Sequence, residues 1–415
     1  MITRIYFIIA LLCTSFAALA QNGETTYTID EAPPVYTTAT DSLPYTPAVP
    51  WGDDLRSRLS ALLDDAMFET SQLGLCVYDL TGDSLLFARG ERQSMRPAST
   101  QKVLTAIAAL QTLGGSHRFE TALYRDGDVS EDSTLNGDLY VVGGMDPMFG
   151  YDDMRAFVRE LLDKGIRRIT GSLYADVTMK DTLKWGWGWC WDDDAPELRA
   201  LLYNGKAGFM EVFVREAAAS GITLPSAYSL RKVPGLAALI ASRFHSMDQI
   251  LLPMLKNSNN LYAEAMFYQL GARRGNYPDY KASAEAVSAM LRSIGAPDGY
   301  LVADGSGLSL YNYTSARTLV AALRHAHRYR DTFEHLYYAL PIAATDGTLE
   351  QRMRGTKADY NVRAKTGTVE GVSSLAGYAT APNGNLIAFA IINQGIRRTA
   401  TGRNFQNRVC IELCR

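Results

Sequence analysis

Three short motifs supply the residue types that acyl transfer requires when no histidine takes part. In chain order they are Ser99-x-x-Lys102, Ser258-x-Asn260 and Lys365-Thr366-Gly367. Ser99 would be the nucleophile and Lys102 its base, because desolvation disfavours the ammonium form of a buried lysine and leaves an amine that can accept a proton. Each motif alone is a weak signal, whereas the three in this order predict a serine acyl-transfer site.

The second motif and two backbone groups complete the predicted chemistry at the reacting carbonyl. Ser258 would relay a proton, and Asn260 would hold an amide of the substrate. The backbone N–H groups of Ser99 and Thr368 would form an oxyanion hole, where preorganised donors stabilise the developing negative charge.

The third motif would bind a substrate carboxylate. Lys365 would supply a positive charge and Thr366 a hydroxyl group, with Thr368 beside them. Gly367, which has no side chain, would let the substrate backbone approach closely. We expect no cofactor, and no residue spacing in the sequence predicts a metal site.

Ser99 and Lys102 must lie on one helix face for this chemistry. Pro97 suits the first helical turn, and apolar residues at helical spacing follow from Val103 to Leu110. Gly114-Gly115 then ends the helix. Because residues three apart lie one turn from each other, we expect Ser99 and Lys102 to be neighbours at the helix start.

Two regions at opposite ends of the chain predict one antiparallel sheet. A hairpin with its turn at Thr81-Gly82-Asp83 precedes the Ser99 helix, and a second hairpin turns at Asn383-Gly384. Helices would cover this sheet on both faces. The stretch 251–264, which carries the second motif, continues as a helix.

The sequence further predicts a signal peptide, a tether and two folded domains. Residues 1–20 join a basic start, a short apolar run and a small-residue cleavage site, as export signals do. Residues 21–50 are rich in Thr, Pro and Tyr and predict a flexible tether. The segment 121–253, where short strands alternate with turns, predicts an inserted, smaller α+β domain. Residues 51–120 and 254–415 then form the main domain.

The composition limits which classes of partner the protein could bind and what state its cysteines could have. The net charge of −3 argues against a nucleic-acid-binding surface. No later stretch is long and apolar enough to span a membrane. After export four cysteines remain, and the sequence leaves their three pairings open, although a buried free thiol is favoured for the first. They are Cys76, Cys190, Cys410 and Cys414.

The segments around the motifs resemble the penicillin-binding serine peptidases, specifically the D-alanyl-D-alanine carboxypeptidase/endopeptidase group of class C low-molecular-mass type. The resemblance covers most of the mature chain. It is carried by Pro97–Ala106, Asn257–Glu264, Asp304–Ser309, Asp346–Leu349 and Ala364–Thr368. Two departures are visible. Asn259 stands where aspartate is commoner, and the short interval between Ser99 and Ser258 implies that an accessory subdomain of larger relatives is missing.

The resemblance implies a β-lactamase/transpeptidase-like fold and a periplasmic enzyme of peptidoglycan. Ser99 would attack the carbonyl between two D-alanines, or that of a D-Ala-linked cross-bridge, and water would release the acyl-enzyme. Peptidoglycan muropeptides are then the substrates, and β-lactams would acylate Ser99 as covalent inhibitors. A homodimer is one compatible assembly.

Two features of the insert could reach the substrate or the main domain. The turn Trp185–Trp191 holds four tryptophans. Because large aromatic residues mostly pack, the turn favours an anchoring role over a binding surface. Asp146 is a lesser candidate for recognising a cationic group on the stem peptide.

Other activities on the same scaffold are alternatives. A serine β-lactamase of class A would carry a Glu-x-x-Leu-Asn segment after the second motif, and no such segment follows Ser258. A class C enzyme would carry Tyr-x-Asn in place of Ser258-x-Asn260. An esterase remains open, and a binding module with an inactive site is disfavoured because all three motifs are intact.

Overall fold

Buried residues fill the two strands Val372–Thr380 and Leu386–Gln394 almost from end to end, so both faces of their sheet are covered. They lie at the centre of a five-stranded antiparallel sheet in the computed structural model, which describes residues 50–274 and 278–415. The predicted signal peptide, 1–20, lies outside the described residues, as does all of the predicted tether except Pro50.

Within the described residues, the strands are β1 (Gln72–Asp79), β2 (Ser84–Arg89), β3 (Arg118–Val129), β4 (Thr134–Val142), β5 (Arg168–Ile169), β6 (Leu173–Asp176), β7 (Tyr228–Leu230), β8 (Ala238–Ser246), β9 (Arg363–Val369), β10 (Val372–Thr380) and β11 (Leu386–Gln394). The α-helices are α1 (Trp51–Ala61), α2 (Gln101–Leu113), α3 (Tyr151–Asp163), α4 (Phe209–Ala219), α5 (Met247–Lys256), α6 (Asn260–Arg274), α7 (Tyr280–Ser293), α8 (Ala316–Arg328), α9 (Arg330–Ala339) and α10 (Thr399–Leu413).

The main sheet joins the two ends of the described chain. Its strand order is β2-β1-β11-β10-β9, and β1 pairs with β11 from Gln72↔Gln394 to Asp79↔Ile387. Helix α8 packs on one face, against β1 and β11, while α10 packs on the other face, against β10. The predicted α+β fold, an antiparallel sheet with helices on both faces, is therefore confirmed.

The second sheet is formed by the middle of the chain. Its order is β7-β6-β4-β3-β8, with the short strand β5 beside β4. Strands β3, β4 and β8 pair antiparallel, whereas β5, β6 and β7 join in parallel. Helices α3 and α4 share a separate apolar core with it, which includes Leu139, Phe157 and Phe213.

This sheet occupies residues 118–246, whereas the sequence pattern placed the insert at 121–253. The difference at the end arises because α5 begins at Met247 and buries Ile250, Leu251 and Met254 in the same core as α2. The division into a main and an inserted domain stays a prediction.

Helix α2 is a buried core helix, with every residue from Gln101 to Leu110 buried. Gly114 ends it with φ 84°, as the sequence predicts. Its start differs from a simple helical turn. Ser99 lies in a 3₁₀ turn (Ala98–Thr100) before the α-helix, and Ala98 adopts the left-handed conformation with φ 47°.

The helix expected through 251–264 is interrupted within the second motif. Helix α5 ends at Lys256 and α6 begins at Asn260. Ser258 between them has φ 59°, a left-handed conformation that no helix interior contains. The break separates the two helices and presents the motif at their junction.

Two further sequence expectations concern the membrane and the thiols. No helix in the described part of the chain has both the length and the apolar character needed to cross a bilayer. The four described cysteines are unpaired, and Cys76 is a buried thiol as expected. Burial raises the pKa of Cys76 to about 12, so the thiol is protonated and unreactive at neutral pH.

Candidate active site

The predicted nucleophile, Ser99, and its predicted base, Lys102, meet at the start of α2. The Lys102 ammonium nitrogen lies 2.9 Å from Ser99 Oγ, 2.8 Å from Asn260 Oδ1 and 2.8 Å from the Ser306 carbonyl oxygen. Ser99 stays half-buried, whereas Lys102 is 0% exposed. A substrate can therefore reach the hydroxyl group but not the amine behind it.

These contacts suit a neutral amine that accepts a proton. Asn260 Oδ1 and the Ser306 carbonyl oxygen can only accept hydrogen bonds, so they take the two N–H groups of an uncharged Lys102. The lone pair then faces the Ser99 hydroxyl group. Burial lowers the pKa of Lys102 to about 7, although the negative charge of Asp304, and that of Glu264 when it is ionised, opposes the shift.

The Ser306 carbonyl oxygen is held in place by the loop Asp304–Ser309. Asp304 accepts hydrogen bonds from the backbone N–H groups of Gly307 and Ser309, each at 2.7 Å, and from Asn312 Nδ2. Glu264 accepts from the N–H of Ser306 at 2.8 Å. The loop that resembles a family segment in the sequence thus has a structural task, since it aims one carbonyl group at Lys102.

Glu264 itself is buried beside this charged cluster. Desolvation, with the charge of Asp304, raises the pKa of the Glu264 carboxyl group to about 8. Near neutral pH the group is therefore mostly protonated, which limits the negative charge that surrounds Lys102.

Ser258 is the one residue of the two catalytic motifs that Lys102 does not contact. Within the described residues its side chain forms no hydrogen bond, whereas the Lys102 side chain contacts Ser99, Asn260 and the Ser306 carbonyl oxygen. The relay role of Ser258 stays a prediction. Ser258 lies half-buried in the left-handed turn before α6, on the wall of a cavity of about 800 Å³.

Gly367 lies where the edge strand β9 passes the nucleophile. A Cβ atom at this position would come within 2.8 Å of the Pro97 carbonyl oxygen and 2.9 Å of the Ser99 backbone nitrogen, and would collide with Ser374 Oγ. The sequence analysis explained this glycine by the close approach of the substrate backbone. In the structure, the segment with Pro97 and Ser99 already lies so close to Gly367 that a side chain would not fit.

The backbone groups of Ser99 and Thr368, which are predicted to form the oxyanion hole, lie on segments that pack against each other. The Ser99 nitrogen lies beside Gly367, and Thr368 is the next residue along β9. Because β9 is the last strand of its sheet, alternate backbone groups on its outer edge have no strand partner. Thr368 itself is exposed, so a substrate can reach it.

Lys365 lies deep in the protein and not in the groove. Its side chain is 0% exposed, and Nζ donates to the Thr366 carbonyl oxygen at 2.7 Å. Burial, with the nearby charge of Lys102, holds the pKa of Lys365 well below its usual range. The assignment of Lys365 to a substrate carboxylate stays a prediction. Thr366, in contrast, is partly exposed and hydrogen-bonds to Thr348 Oγ1 at 2.7 Å.

Two expectations about the middle of the chain have clear outcomes. The Asp146 carboxylate is 1% exposed, and it accepts from the Met148 N–H and pairs with His245 Nδ1 at 2.7 Å. Asp146 is thus unavailable to a substrate cation. Trp189 donates its Nε1–H to Asp304 at 2.8 Å, which supports the anchoring interpretation of the Trp-rich turn.

Sequence reasoning did not assign roles to several residues that build this site. Glu264, Asp304 and Ser306 act through burial and backbone geometry, and the signal for them in the sequence was their place in two segments that resemble the family, 257–264 and 304–309. The pairing of Lys256 with Asp346 at 2.6 Å was also missed; it ties the end of α5 to the loop that carries Thr348.

Comparison with known proteins agrees with this geometry. The model of the D-Ala-D-Ala carboxypeptidase 3 (S13) family matches residues 55–200 and 195–411. The D-alanyl-D-alanine carboxypeptidase of Actinomadura sp. (strain R39) is 29% identical in an alignment that covers 82% of this chain and 81% of that protein.

Solved structures share the fold. Penicillin-binding protein 4 from Haemophilus influenzae superposes with a TM-score of 0.75 and 22% identity over 87% of this chain and 98% of that one. A predatory endopeptidase from Bdellovibrio bacteriovorus gives a TM-score of 0.53 at 17% identity, over 81% and 91% of the two chains. With the family model matching nearly all of the described chain, the protein is a serine hydrolase that belongs to the D-Ala-D-Ala carboxypeptidase 3 (S13) family.

Proposed function

We propose that the protein hydrolyses peptide bonds next to D-alanine in peptidoglycan through an acyl-enzyme on Ser99. The contact set of Lys102 carries this proposal. When Lys102 is neutral, the two pure acceptors occupy its N–H groups, and its lone pair faces the Ser99 hydroxyl group at 2.9 Å. The Ser99 oxygen attacks the scissile carbonyl carbon while its proton moves to Lys102.

Release of the first product needs a proton on the leaving amine. Ser258 lies two residues before Asn260 on the cavity wall, and we assign it the relay of that proton from Lys102 once substrate is bound. Asn260 holds a substrate amide as well as Lys102. The N–H groups of Ser99 and Thr368 stabilise the oxyanion, and a water molecule then hydrolyses the ester.

The substrate class follows from the family and its relatives. The relative from Actinomadura is a D-alanyl-D-alanine carboxypeptidase, and the Bdellovibrio neighbour is an endopeptidase. We therefore assign stem peptides that end in D-Ala-D-Ala, and D-Ala-linked cross-bridges, as substrates. A second structure of the Haemophilus protein is a complex with a β-lactam, which supports β-lactams as covalent inhibitors of Ser99. Residues 1–20 would direct the chain to the periplasm, where this substrate is found.

Mass analysis of products tests the proposal. Purified protein is incubated with pentapeptide monomers and with muropeptide dimers, and the Ser99→Ala variant serves as the control. Loss of one D-alanine or cleavage of dimers by the wild type alone is expected. In parallel, penicillin should add its mass to the wild type and not to the variant, and the acylation rate should rise with pH through about 7 as Lys102 becomes neutral.

Rapid, repeated turnover of a chromogenic cephalosporin would instead identify a β-lactamase. Product formation by Ser99→Ala at the wild-type rate would remove Ser99 from the mechanism.

A further inference from the structure

Trp189 connects the Trp-rich turn to the loop that begins at Asp304. Its Nε1–H donates to Asp304 Oδ2 at 2.8 Å, and its ring packs against the apolar core that contains α2. Two glycines make this contact possible. A Cβ atom at Gly186 would collide with the Trp189 ring, and a Cβ atom at Gly188 would lie 2.6 Å from Ser309 Oγ. The turn is therefore shaped to lie directly against the loop.

Asp304 is a buried carboxylate, 1% exposed, whose hydrogen-bond partners in the described chain are all neutral. Five donors hold its two oxygen atoms at 2.7 to 3.3 Å. They are Trp189 Nε1, the backbone N–H groups of Gly307 and Ser309, Asn312 Nδ2 and the Ser306 hydroxyl group. An ionised carboxylate only accepts hydrogen bonds, so this set of donors fits that form. A negative charge is thus held at a fixed place in the interior.

A single peptide unit separates this charge from Lys102. The Ser306 carbonyl oxygen accepts from Lys102 Nζ at 2.8 Å, and the N–H of the same peptide, that of Gly307, donates to Asp304 Oδ1 at 2.7 Å. Hydrogen bonds in such a chain polarise one another, so the carboxylate makes the carbonyl group a stronger acceptor. The gain is largest when Lys102 is an ammonium ion, because opposite charges then lie at the two ends of the peptide.

Two other ionisable groups act on Lys102, and neither supplies a lasting negative charge. Glu264 on α6 is buried, and desolvation, with the charge of Asp304, raises the pKa of its carboxyl group to about 8, so near neutral pH it is mostly protonated. Lys365 on β9 is also buried, and a positive charge there would repel an ammonium ion at Lys102. Asp304 is therefore the group whose charge favours the ammonium form of Lys102.

We propose that Asp304, held in place by Trp189, stabilises the ammonium form of Lys102 through the Ser306–Gly307 peptide. This inference rests on the proposed function, in which the proton of Ser99 moves to Lys102 during acylation. Asp304 takes no proton in that step and keeps its charge throughout. Neither Asp304 nor Trp189 hydrogen-bonds to Ser99 or Lys102 in the described chain, so both are positioning residues. The Trp-rich turn then contributes to the chemistry as well as to anchoring.

An NMR titration of Lys102 tests the inference without any reaction. The protein is labelled with ¹³C at lysine Cε, and the Lys102 signal is identified by its absence from Lys102→Met. Asp304→Asn removes the charge at nearly constant size and should lower the titration midpoint by about one pH unit, because the ammonium form loses its nearby anion.

Two tryptophan variants complete the comparison. Trp189→Phe keeps an aromatic ring and removes one donor from the carboxylate. The negative charge that faces Lys102 is then less compensated, so the midpoint should rise, opposite to the shift in Asp304→Asn. Trp191 lies in the same turn and is 96% exposed, so Trp191→Phe is the matched control and should leave the midpoint at the wild-type value.

The pH profile of penicillin acylation should shift in the same directions as the NMR midpoints, whereas a loss of packing alone would lower the rate at every pH. The NMR result supports the inference even if the wild type hydrolyses no peptide and the proposed function fails. An unchanged or raised midpoint in Asp304→Asn would overturn it, as would a midpoint in Trp189→Phe that is not above that of Trp191→Phe. If Asp304→Asn does not fold, the tryptophan pair decides alone.

Discussion

Two wholly buried lysines lie near Ser99, and their surroundings differ. Lys102 has three oxygen partners and two carboxyl groups nearby, which oppose the effect of burial on its pKa. Lys365 has one backbone carbonyl partner, and the nearest charge is the repelling Lys102. The same residue type therefore has different tasks. The environment of Lys102 keeps its pKa near neutrality, where it can gain and lose a proton, while that of Lys365 favours the uncharged amine.

The same contrast applies to the two elements that meet at Ser99, helix α2 and strand β9. In the proposed mechanism, residues of α2 carry out the proton transfers, and strand β9 positions the backbone beside Ser99. Gly367 joins the two, since it allows β9 to lie against Pro97 and Ser99. A change on the helical side should affect the reaction rate most, a change at the junction should displace the nucleophile, and a change at Lys365 should alter stability.

The largest effect is expected from Lys102→Met, which keeps the length of the side chain and removes the base. Acylation of Ser99 by penicillin should slow by about a thousandfold, within the range that general-base catalysis contributes. The rate is measured by the mass of the acylated protein over time. Lys357→Met, at an exposed lysine, is the matched control and should react normally. An acylation rate within tenfold of the wild type would contradict the role of Lys102 as base.

The next effect is expected from Gly367→Ala. The added methyl group would collide with Ser374 Oγ and crowd the backbone at Pro97 and Ser99, so the nucleophile must shift. A displacement of about 1 Å can lower the rate about a hundredfold. Acylation and melting temperature are both measured, and Gly235→Ala, where the added methyl group meets open space, controls for the extra carbon. Normal acylation by Gly367→Ala would show that the junction tolerates a side chain.

The smallest effect, confined to stability, is expected from Lys365→Met. The pKa of Lys365 is lowered in the folded protein, so between that value and the unfolded value the unfolded chain binds more protons. Stability of the wild type relative to the variant should then rise with pH, by at most about 1.4 kcal/mol per pH unit, up to a pH of about 10. At low pH the variant should be the more stable protein, because it lacks the buried charge.

Denaturant unfolding at several pH values from 6 to about 10 measures this difference. The exposed lysine variant Lys357→Met should give a difference from the wild type that does not change with pH. If Lys365→Met behaves in the same way, Lys365 is charged in the folded protein, and the contrast between the two lysines is lost.

Much of this fold and site can be read from the sequence, because it depends on local spacing. Ser99 and Lys102 are neighbours since a helical turn brings residues three apart together. The hairpin turns at Gly82 and Gly384 depend on adjacent residues, as does the end of α2 at Gly114. The order of the three motifs indicated acyl transfer without any knowledge of their positions in space.

Only the tertiary structure decides which atoms meet across long stretches of chain. Asn260 and Ser306, 158 and 204 residues from Lys102, supply two of its hydrogen-bond partners, and burial lowers its pKa. Neither these contacts nor the burial is a property of a local pattern. The same holds for the burial of Lys365 and Asp146. The sequence does not show whether a charged side chain faces water or the interior. The pKa of that side chain depends on its desolvation and on neighbouring charges, and both are determined by the folded structure.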